Sequence, residues 1–379
     1  MPNRRSYTST FRYLPRSLAA GIIGLMSAAA CIEIILRMCG YGSISRLGSG
    51  QLQNNLKLPE LGYAGRPNVE GIQTREGYSH LVLNDHGFHD VNVAHEKQNG
   101  SLRVAVLGNS LTMAAQVGTS ETYVSHLGKT LTACPALQNK RVEAMNFAVD
   151  GYTAGQNYLL MKEFVWTYSP DFIILQESPG IDESEAEREV SAHISIDEDG
   201  REHIESSFMH SRNFKIRSSL AFTLFLKLSD HSRLLQYIDD FRRKMGVKRE
   251  PRVGKEKPSH ASMSSHWAEK ARLLKAIVEI SRSHSTPLLL VLIPDGESMD
   301  PREAGETPKA EDELWWENQS NELGIPFVNA ATSAWNFARQ HRVFLSGFGR
   351  QSGKGHLTRY GNSFFGNEFA WEVCGLLRR

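Results

Sequence analysis

Arg103-Val-Ala-Val-Leu-Gly-Asn-Ser-Leu-Thr112 is a short apolar run that leads directly into a glycine and a serine. A strand that stops at a glycine, with a serine where a helix would begin, holds a hydroxyl group at the edge of a sheet beside unpaired backbone N–H groups. The pattern therefore marks Ser110 as a candidate nucleophile. Gly108 to Ser110 also fit a plain strand-to-helix turn, with Asn109 or Ser110 as its N-cap.

Apolar strands alternate with amphipathic helical stretches from residue 102 onward, as in a parallel sheet covered by helices on both faces. The pattern predicts strands at 102–107, 142–147, 172–175, 288–293 and 326–328. It predicts helices at 120–133, 155–167, 267–283, 311–323 and 361–377. The expected fold class is a flavodoxin-like three-layer α/β/α with a five-stranded parallel sheet. In such sheets ligands bind at the carboxyl ends of the strands.

The composition is that of a globular protein, since 40% of the 379 residues are hydrophobic and 22% are charged. A formal net charge of +1 argues against a nucleic-acid partner held by bulk electrostatics, and no nucleic-acid motif is present. The cysteines lack the paired spacing of zinc or thioredoxin motifs, so they indicate little about redox chemistry; they are Cys31, Cys39, Cys134 and Cys374.

The N-terminus contains an apolar run, residues 18–36, that is broken only by Glu33 and preceded by four arginines. At about 1.5 Å per residue it is just long enough to cross a hydrocarbon core of about 30 Å. The basic flank should stay in the cytoplasm. A cleaved signal peptide ending near Ala28 to Ala30 and lipidation at Cys31 are the alternatives. Because the apolar pattern continues past Cys31, an uncleaved anchor is favoured.

The chain accordingly divides into four parts. They are a cytoplasmic basic flank at 1–17, one N-terminal transmembrane helix at 18–37, a linker at 38–77 and a soluble domain at 78–379. The domain carries an insertion at about 183–265, which should comprise a β-hairpin over 191–204, helices over 212–245 and a basic, mobile loop over 242–265.

Two further loops complete the parts needed for acyl transfer, which are a nucleophile, a base and oxyanion donors. Gly151 follows the second strand, where a glycine lets the backbone approach a ligand and offer its N–H group. His356 lies in a glycine-rich loop just before the last helix.

With these blocks the sequence resembles the SGNH, or GDSL-like, hydrolases and acyltransferases over roughly residues 80–379. The resemblance is closest to membrane-anchored or periplasmic bacterial members that are often associated with exopolysaccharide or cell-envelope modification. Details of that subgroup recur at Asn84–Phe88, Val117–Tyr123, Tyr168–Asp171 and Ile293–Pro294.

The resemblance implies a role for each matching residue. Ser110 would be the nucleophile and His356 the base, while the N–H groups of Ser110 and Gly151 would form the oxyanion hole. No metal and no cofactor are implied.

Three positions depart from the family pattern. Asn109 stands where aspartate is usual, a mild change because that side chain mainly orders the turn. Ile181 aligns with an asparagine that donates to the oxyanion, and the loss of such a donor can reduce the rate by about a hundredfold or more. Gly353 aligns with the aspartate that normally orients the base.

Two acids near strand ends are candidates to support His356 in place of that aspartate. Asp182 follows the third strand and Asp295 follows the fourth. A serine and a histidine can also act as a dyad without an acid, with a backbone carbonyl holding the imidazole tautomer.

The function that the sequence predicts is a serine esterase or O-acyltransferase, deacetylase-like, that acts on acylated cell-envelope or extracellular polysaccharide. The alternative is a catalytically weakened SGNH-like domain that binds polysaccharide or scaffolds an envelope assembly. The expected partners are an acylated carbohydrate and, through the N-terminal helix, the membrane. The expected location is the inner membrane, single-pass, with the C-terminal domain periplasmic or extracytoplasmic.

Overall fold

The computed structural model describes residues 16–42, 58–73, 76–138, 140–179, 191–246, 260–302 and 311–378. The strands within them are β1 (Glu70–Gln73), β2 (Ser79–Val82), β3 (Ser101–Leu107), β4 (Arg141–Asn146), β5 (Phe172–Glu177), β6 (His193–Ile196), β7 (Glu202–Glu205), β8 (Leu288–Leu292) and β9 (Phe327–Asn329).

The α-helices within the same residues alternate with these strands through most of the chain. They are α1 (Arg16–Met38), α2 (Ser110–Met113), α3 (Tyr123–Leu131), α4 (Ala154–Glu163), α5 (Arg212–Arg217), α6 (Leu220–His231), α7 (Arg233–Gly246), α8 (His260–Ser283), α9 (Glu311–Leu323), α10 (Ala331–His341) and α11 (Arg359–Leu376).

The central sheet has the strand order β4-β3-β5-β8-β9, and every neighbouring pair is parallel. The predicted flavodoxin-like three-layer α/β/α class is therefore confirmed, and each of the five predicted strands is present within one or two residues of its expected bounds. The chain passes from β3 to β4 on one side of β3 and then crosses over to β5 on its other side. A crevice for a ligand forms at the carboxyl ends of strands where the order reverses in this way.

The strand β3 is buried along its whole length, because helices cover both faces of the sheet. Ala105 and Leu107 face a core cluster that includes residues of α4 and α8. Val104 and Val106 face the opposite cluster, which includes residues of α3 and α11. The alternation along β3 thus holds the two layers of helices on opposite sides of one sheet.

The helices α3 and α11 are joined near their C-terminal ends by a disulfide between Cys134 and Cys374, whose Cα atoms are 5.7 Å apart. The two cysteines are 240 residues apart in sequence. Their pairing depends on the packing of the two helices, and for this reason spacing alone did not indicate it.

The predicted helices are all present, but α10 was not predicted. Its buried residues include Ala334 and Ala338, and such small side chains give little contrast between the two faces of a helix. Its first turn is capped by Asn329, whose side-chain oxygen accepts a hydrogen bond of 3.0 Å from the N–H of Ala331.

The predicted linker over 38–77 contains residues that belong to the folded core and to a β-hairpin. Leu61 and Tyr63 are buried in the main core, and β1 lies within the same stretch and pairs with β2 as an antiparallel hairpin. The interpretation of residues 58–73 as a linker was wrong, because their apolar side chains are too widely spaced to show a period in the sequence. Residues 43–57 lie outside the described residues.

The insertion contains the predicted hairpin, formed by β6 and β7, and the predicted helices, which are α5, α6 and α7. The basic stretch 242–265 was predicted as a loop, but both of its ends are helical. Residues 242–246 complete α7, and residues 260–265 form the first turns of α8. Residues 247–259 lie outside the described residues.

The helix α1 is long and apolar enough over Ser17–Met38 to cross a membrane, and none of its apolar window is buried within the protein. An N-terminal signal sequence has the same features. The pairing of Glu33 with Arg37, four residues apart, is present at 2.8 Å.

Replacing both disulfide cysteines by serine, Cys134→Ser with Cys374→Ser, should lower the free energy of unfolding by about 2–4 kcal/mol, because the cross-link restricts the unfolded chain. Denaturant unfolding of the wild-type protein and of the variant, each with and without reductant, measures this difference. Reductant should destabilise only the wild type. Equal stability of the oxidised wild type and the variant would contradict the expected contribution.

Candidate active site

Ser110 is the first residue of α2, directly after the end of β3, and is partly exposed. Asn109 caps this short helix, since its side-chain oxygen accepts a hydrogen bond of 3.0 Å from the N–H of Leu111. The N–H group of Ser110 has no acceptor within the helix, as is usual for a first helical position. The turn therefore presents the hydroxyl and the N–H of one residue at the sheet edge.

The turn over Gly108–Ser110 is held in place by Gln176, which lies in β5. Gln176 accepts a hydrogen bond of 2.8 Å from the hydroxyl of Thr112 and one of 3.4 Å from the N–H of Asn109. A Cβ atom on Gly108 would lie 2.3 Å from the Thr112 hydroxyl and 2.7 Å from Gln176. Only glycine fits at position 108, so packing against β5 requires this glycine in addition to the local geometry of the turn.

Gly151 lies in the loop after β4, with a backbone φ of +80°. A Cβ atom here would lie 2.6 Å from the hydroxyl of Tyr63, so a side chain is excluded by both conformation and space. Since β4 and β3 are adjacent and parallel, their following loops leave the same edge of the sheet. The structure thus places Ser110 and Gly151 on neighbouring loops.

His356 is held by a carboxylate that the sequence did not indicate. Its Nδ1 lies 2.5 Å from Oε2 of Glu76, and its backbone N–H donates a 2.9 Å hydrogen bond to Oε1 of the same side chain. Both side chains are mostly buried, with 29% of His356 and 20% of Glu76 exposed. Glu76 therefore orients the imidazole through Nδ1, which leaves Nε2 as the ring nitrogen available for proton transfer.

The two groups shift each other's pKa in the directions expected of an ion pair. Burial lowers the pKa of His356, but the hydrogen bond to Glu76 and the negative charges of Glu76 and Asp150 outweigh it, so the pKa is raised. Burial raises the pKa of Glu76, and its hydrogen bonds from His356 and the charge of His356 bring the pKa below its ordinary value.

Glu76 lies in the turn between β1 and β2, and this hairpin packs directly on α2, the helix that begins at Ser110. Leu81 and Leu83 form a small buried cluster with Met113 of α2 and Ala148 of the loop after β4. The hydroxyl of Ser79 donates a 2.6 Å hydrogen bond to the carbonyl oxygen of Ala115, just beyond α2. One hairpin thus contacts three parts of the site, which are the serine helix, the glycine loop and the histidine.

The absence of an acid at position 353 has a local physical reason. Gly353 has a φ of +89°, and a Cβ atom there would lie 2.5 Å from Oδ2 of Asp300. Asp300 is itself paired with Arg302. Gly355 has a φ of +83°, and its Cβ would lie 2.5 Å from Oε1 of Glu76. The loop before α11 is therefore shaped around Glu76 rather than around an acid of its own.

The other predicted supporting residues have different positions. Asp295 is exposed and accepts a 2.8 Å hydrogen bond from the N–H of Ser298, so it closes a turn, and His356 pairs with Glu76 instead. The expected role of Asn109 in ordering its turn agrees with its contacts. Asp182 and Ile181 lie outside the described residues.

A small cavity of about 30 Å³ opens beside Asn109. Its lining is polar on the sheet side and comes from the start of α4, the end of β5 and α8; it includes Tyr152, Thr153, Asn157, Gln176 and His266. Asn157 is only 2% exposed, and within the described part of the chain its Oδ1 has no hydrogen-bond partner. A buried amide oxygen without a partner favours a bound water or ligand donor in the cavity.

Glu76 could not be found from the sequence. It is 280 residues from His356, in a turn of a hairpin only four residues long on each side, and no motif surrounds it. Its glycine neighbour Gly77 and the distant Gly355 are signals of tight turns, but neither indicates a partner. Only the packing of the hairpin on α2 brings the carboxylate to the imidazole.

Comparison with known proteins finds similarity in fold. No protein-family model matches the sequence, and no curated protein sequence matches it. Among solved structures, an acetyl xylan esterase, AlAXEase, is 11% identical, with 72% of this chain and 99% of that chain covered and a TM-score of 0.40.

Two further solved structures have a similar identity, coverage and TM-score. The psychrotrophic esterase EstA from Pseudoalteromonas sp. is 11% identical, with 73% and 99% of the two chains covered and a TM-score of 0.37. A catalytic mutant of an acetylxylan esterase from Geobacillus stearothermophilus is 13% identical, with 72% and 94% covered and a TM-score of 0.37. At these identities the similarity concerns the fold alone.

The Glu76→Gln substitution should lower the pKa of His356, because the amide keeps the size of the side chain and removes its charge. NMR titration of histidine-labelled protein, with the His356→Ala variant to assign the resonance, measures this shift. Asp295→Asn is the matched control and should leave the pKa of His356 unchanged. An unaltered pKa in Glu76→Gln would show that the pair does not form in solution.

Proposed function

We propose that this protein is an SGNH-type serine esterase or O-acyltransferase in which Ser110, His356 and Glu76 form the catalytic triad. The contact between Glu76 and His356 is the observation that carries the proposal. A serine at the end of a central strand is common to many turns, but a buried carboxylate that holds one nitrogen of a histidine at the same sheet edge is typical of acyl-transfer sites.

In the first step Oγ of Ser110 attacks the acyl carbonyl carbon, and its proton passes to Nε2 of His356. The N–H groups of Ser110 and Gly151 stabilise the oxyanion. The imidazolium is stabilised by Glu76 and then gives its proton to the leaving alkoxide, which leaves an acyl group on Ser110. Attack by water completes hydrolysis, and attack by another hydroxyl completes transfer.

We place the sugar part of the substrate at the cavity beside Asn109, the residue that precedes Ser110. The polar lining from Thr153, Asn157 and Gln176 favours a substrate rich in hydroxyl groups. We therefore assign acylated carbohydrate as the substrate class.

The proposed location is outside the cytoplasm, with α1 as an uncleaved membrane anchor. The apolar length of α1 and the arginines before it support this orientation. The disulfide between Cys134 and Cys374 supports it independently, because such bonds persist in oxidising compartments.

The full-length protein should hydrolyse p-nitrophenyl acetate and release acetate from acetylated polysaccharide, and it should be labelled by a fluorophosphonate. Ser110→Ala should lose both activity and label, because no other group supplies the nucleophile. Labelling that persists in Ser110→Ala would refute the role of Ser110.

The pH dependence follows from the protonation state of His356. The base must be neutral, and its pKa is raised above the ordinary 6.5, so kcat/KM should increase as pH rises through a midpoint above 6.5. In Glu76→Gln the midpoint should move to lower pH, while the plateau rate should fall by on the order of 10³–10⁴, as when the acid of a triad is made neutral. Stopped-flow or steady-state pH profiles measure both quantities, and a midpoint that does not move would contradict the triad.

A further inference from the structure

Two helices of the insertion each expose an apolar stripe. On α6, Leu220, Leu224 and Leu228 are spaced four residues apart and are 73%, 52% and 65% exposed. Phe225, 41% exposed, widens this stripe. Side chains at this spacing lie on one face of a helix, so α6 presents a continuous apolar surface.

The next helix repeats the pattern. On α7, Tyr237, Phe241 and Met245 have the same spacing and are 45%, 51% and 65% exposed, and Ile238 is 44% exposed beside them. Isolated exposed apolar residues are normal on soluble proteins, but two adjacent helices with ordered stripes mark an interaction surface.

The helix α7 begins directly against the proposed anchor. The carboxylate of Glu33 in α1 accepts hydrogen bonds from the N–H groups of Arg233 and Leu234, at 3.0 and 2.8 Å, and one of 3.0 Å from the hydroxyl of Ser232. A carboxylate at this place satisfies the free N–H groups of a first helical turn and complements the helix dipole. Glu33 therefore joins the two helices as well as pairing with Arg37.

Two more contacts hold the insertion to the exit end of α1. The guanidinium of Arg37 donates a 2.5 Å hydrogen bond to the carbonyl oxygen of His231, at the junction of α6 and α7. The hydroxyl of Tyr41 donates a 2.5 Å hydrogen bond to Asp240, which lies about two helical turns after the start of α7. The insertion thus contacts the last turns of α1 through Glu33 and Arg37, and the residues just after α1 through Tyr41.

The contacts between the insertion and α1 lie near the C-terminal end of α1, and this position places the stripes at a membrane surface. Glu33 is five residues before the end of α1, a distance of about 7 Å along a helix axis. If α1 spans the bilayer as proposed above, on which this inference rests, then α7 begins in the zone between acyl chains and headgroups.

We propose that α6 and α7 lie on the outer surface of the bilayer, with their apolar stripes inserted among the lipids beside the anchor. A helix in this position buries its apolar face about 5–10 Å into the boundary between headgroups and acyl chains. Lys227 and Arg242 are exposed on the same helices and suit contact with lipid phosphates.

This arrangement holds the catalytic domain close to the membrane. Arg66, which is 5% exposed, forms two hydrogen bonds of 2.6 and 2.8 Å with the carboxylate of Asp230 on α6. The insertion is therefore connected both to the anchor and to the body of the domain. The site faces substrates at a set height above the bilayer instead of moving at the end of a free tether.

The test uses the full-length chain in nanodiscs of phosphatidylcholine and phosphatidylglycerol, with Cys31→Ser and Cys39→Ser as background. Single cysteines at Leu224→Cys and Phe241→Cys carry a fluorophore, and lipids with a nitroxide near the headgroup act as quenchers. Leu314→Cys on α9 is the matched control, because Leu314 is a 44% exposed leucine on another helix of the domain. Leu25→Cys within α1 reports on the anchor.

The expected result is a blue shift and loss of fluorescence at positions 224 and 241, no loss at 314, and quenching at 25 by a nitroxide deep in the acyl region. Quenching at 25 with 224 and 241 behaving like 314 would overturn this inference and leave the anchor intact. Loss of quenching at 25 would overturn both. Energy transfer between labelled copies in place of lipid quenching would identify a second copy as the occupant and would also overturn the inference.

Discussion

The pairing of Glu76 with His356 is the contact that links the separate parts of this site. Neither residue stands close to the other in sequence, and the loop that carries His356 has glycine where it would otherwise supply its own acid. Gly353 and Gly355 leave room that Asp300 and Glu76 occupy from outside the loop. The base is therefore oriented by a different segment, and its orientation depends on the folding of the N-terminal hairpin.

That hairpin explains why residues before the central sheet belong to the functional domain. Its buried residues Leu81 and Leu83 pack on Met113, which follows Ser110 by three positions. A change in this small cluster would move Glu76 and Ser110 together, since both depend on the same packing. The proposed site depends on this peripheral hairpin because Glu76 comes from outside the α/β core.

The proposed membrane contacts follow a related principle. Glu33 breaks an otherwise apolar helix, and in isolation it is an unfavourable residue near a bilayer. In the structure its charge is compensated by Arg37 and by the free N–H groups at the start of α7. A single carboxylate thus joins the anchor to the insertion, and through Arg66 and Asp230 the insertion is joined to the domain.

Local pattern determined the sheet and most of its helices, because strands buried on both faces are continuous apolar runs and amphipathic helices have a clear period. It also marked Ser110 and Gly151, which follow predicted strands, and His356, which lies in a glycine-rich loop before the last helix, as candidate site residues. Tertiary structure alone decided the partner of His356, the disulfide between Cys134 and Cys374, and the burial of residues 58–73. Each of these depends on contacts between segments that are far apart in sequence and come together only when the layers pack. A local hydrophobic period or motif does not predict such contacts.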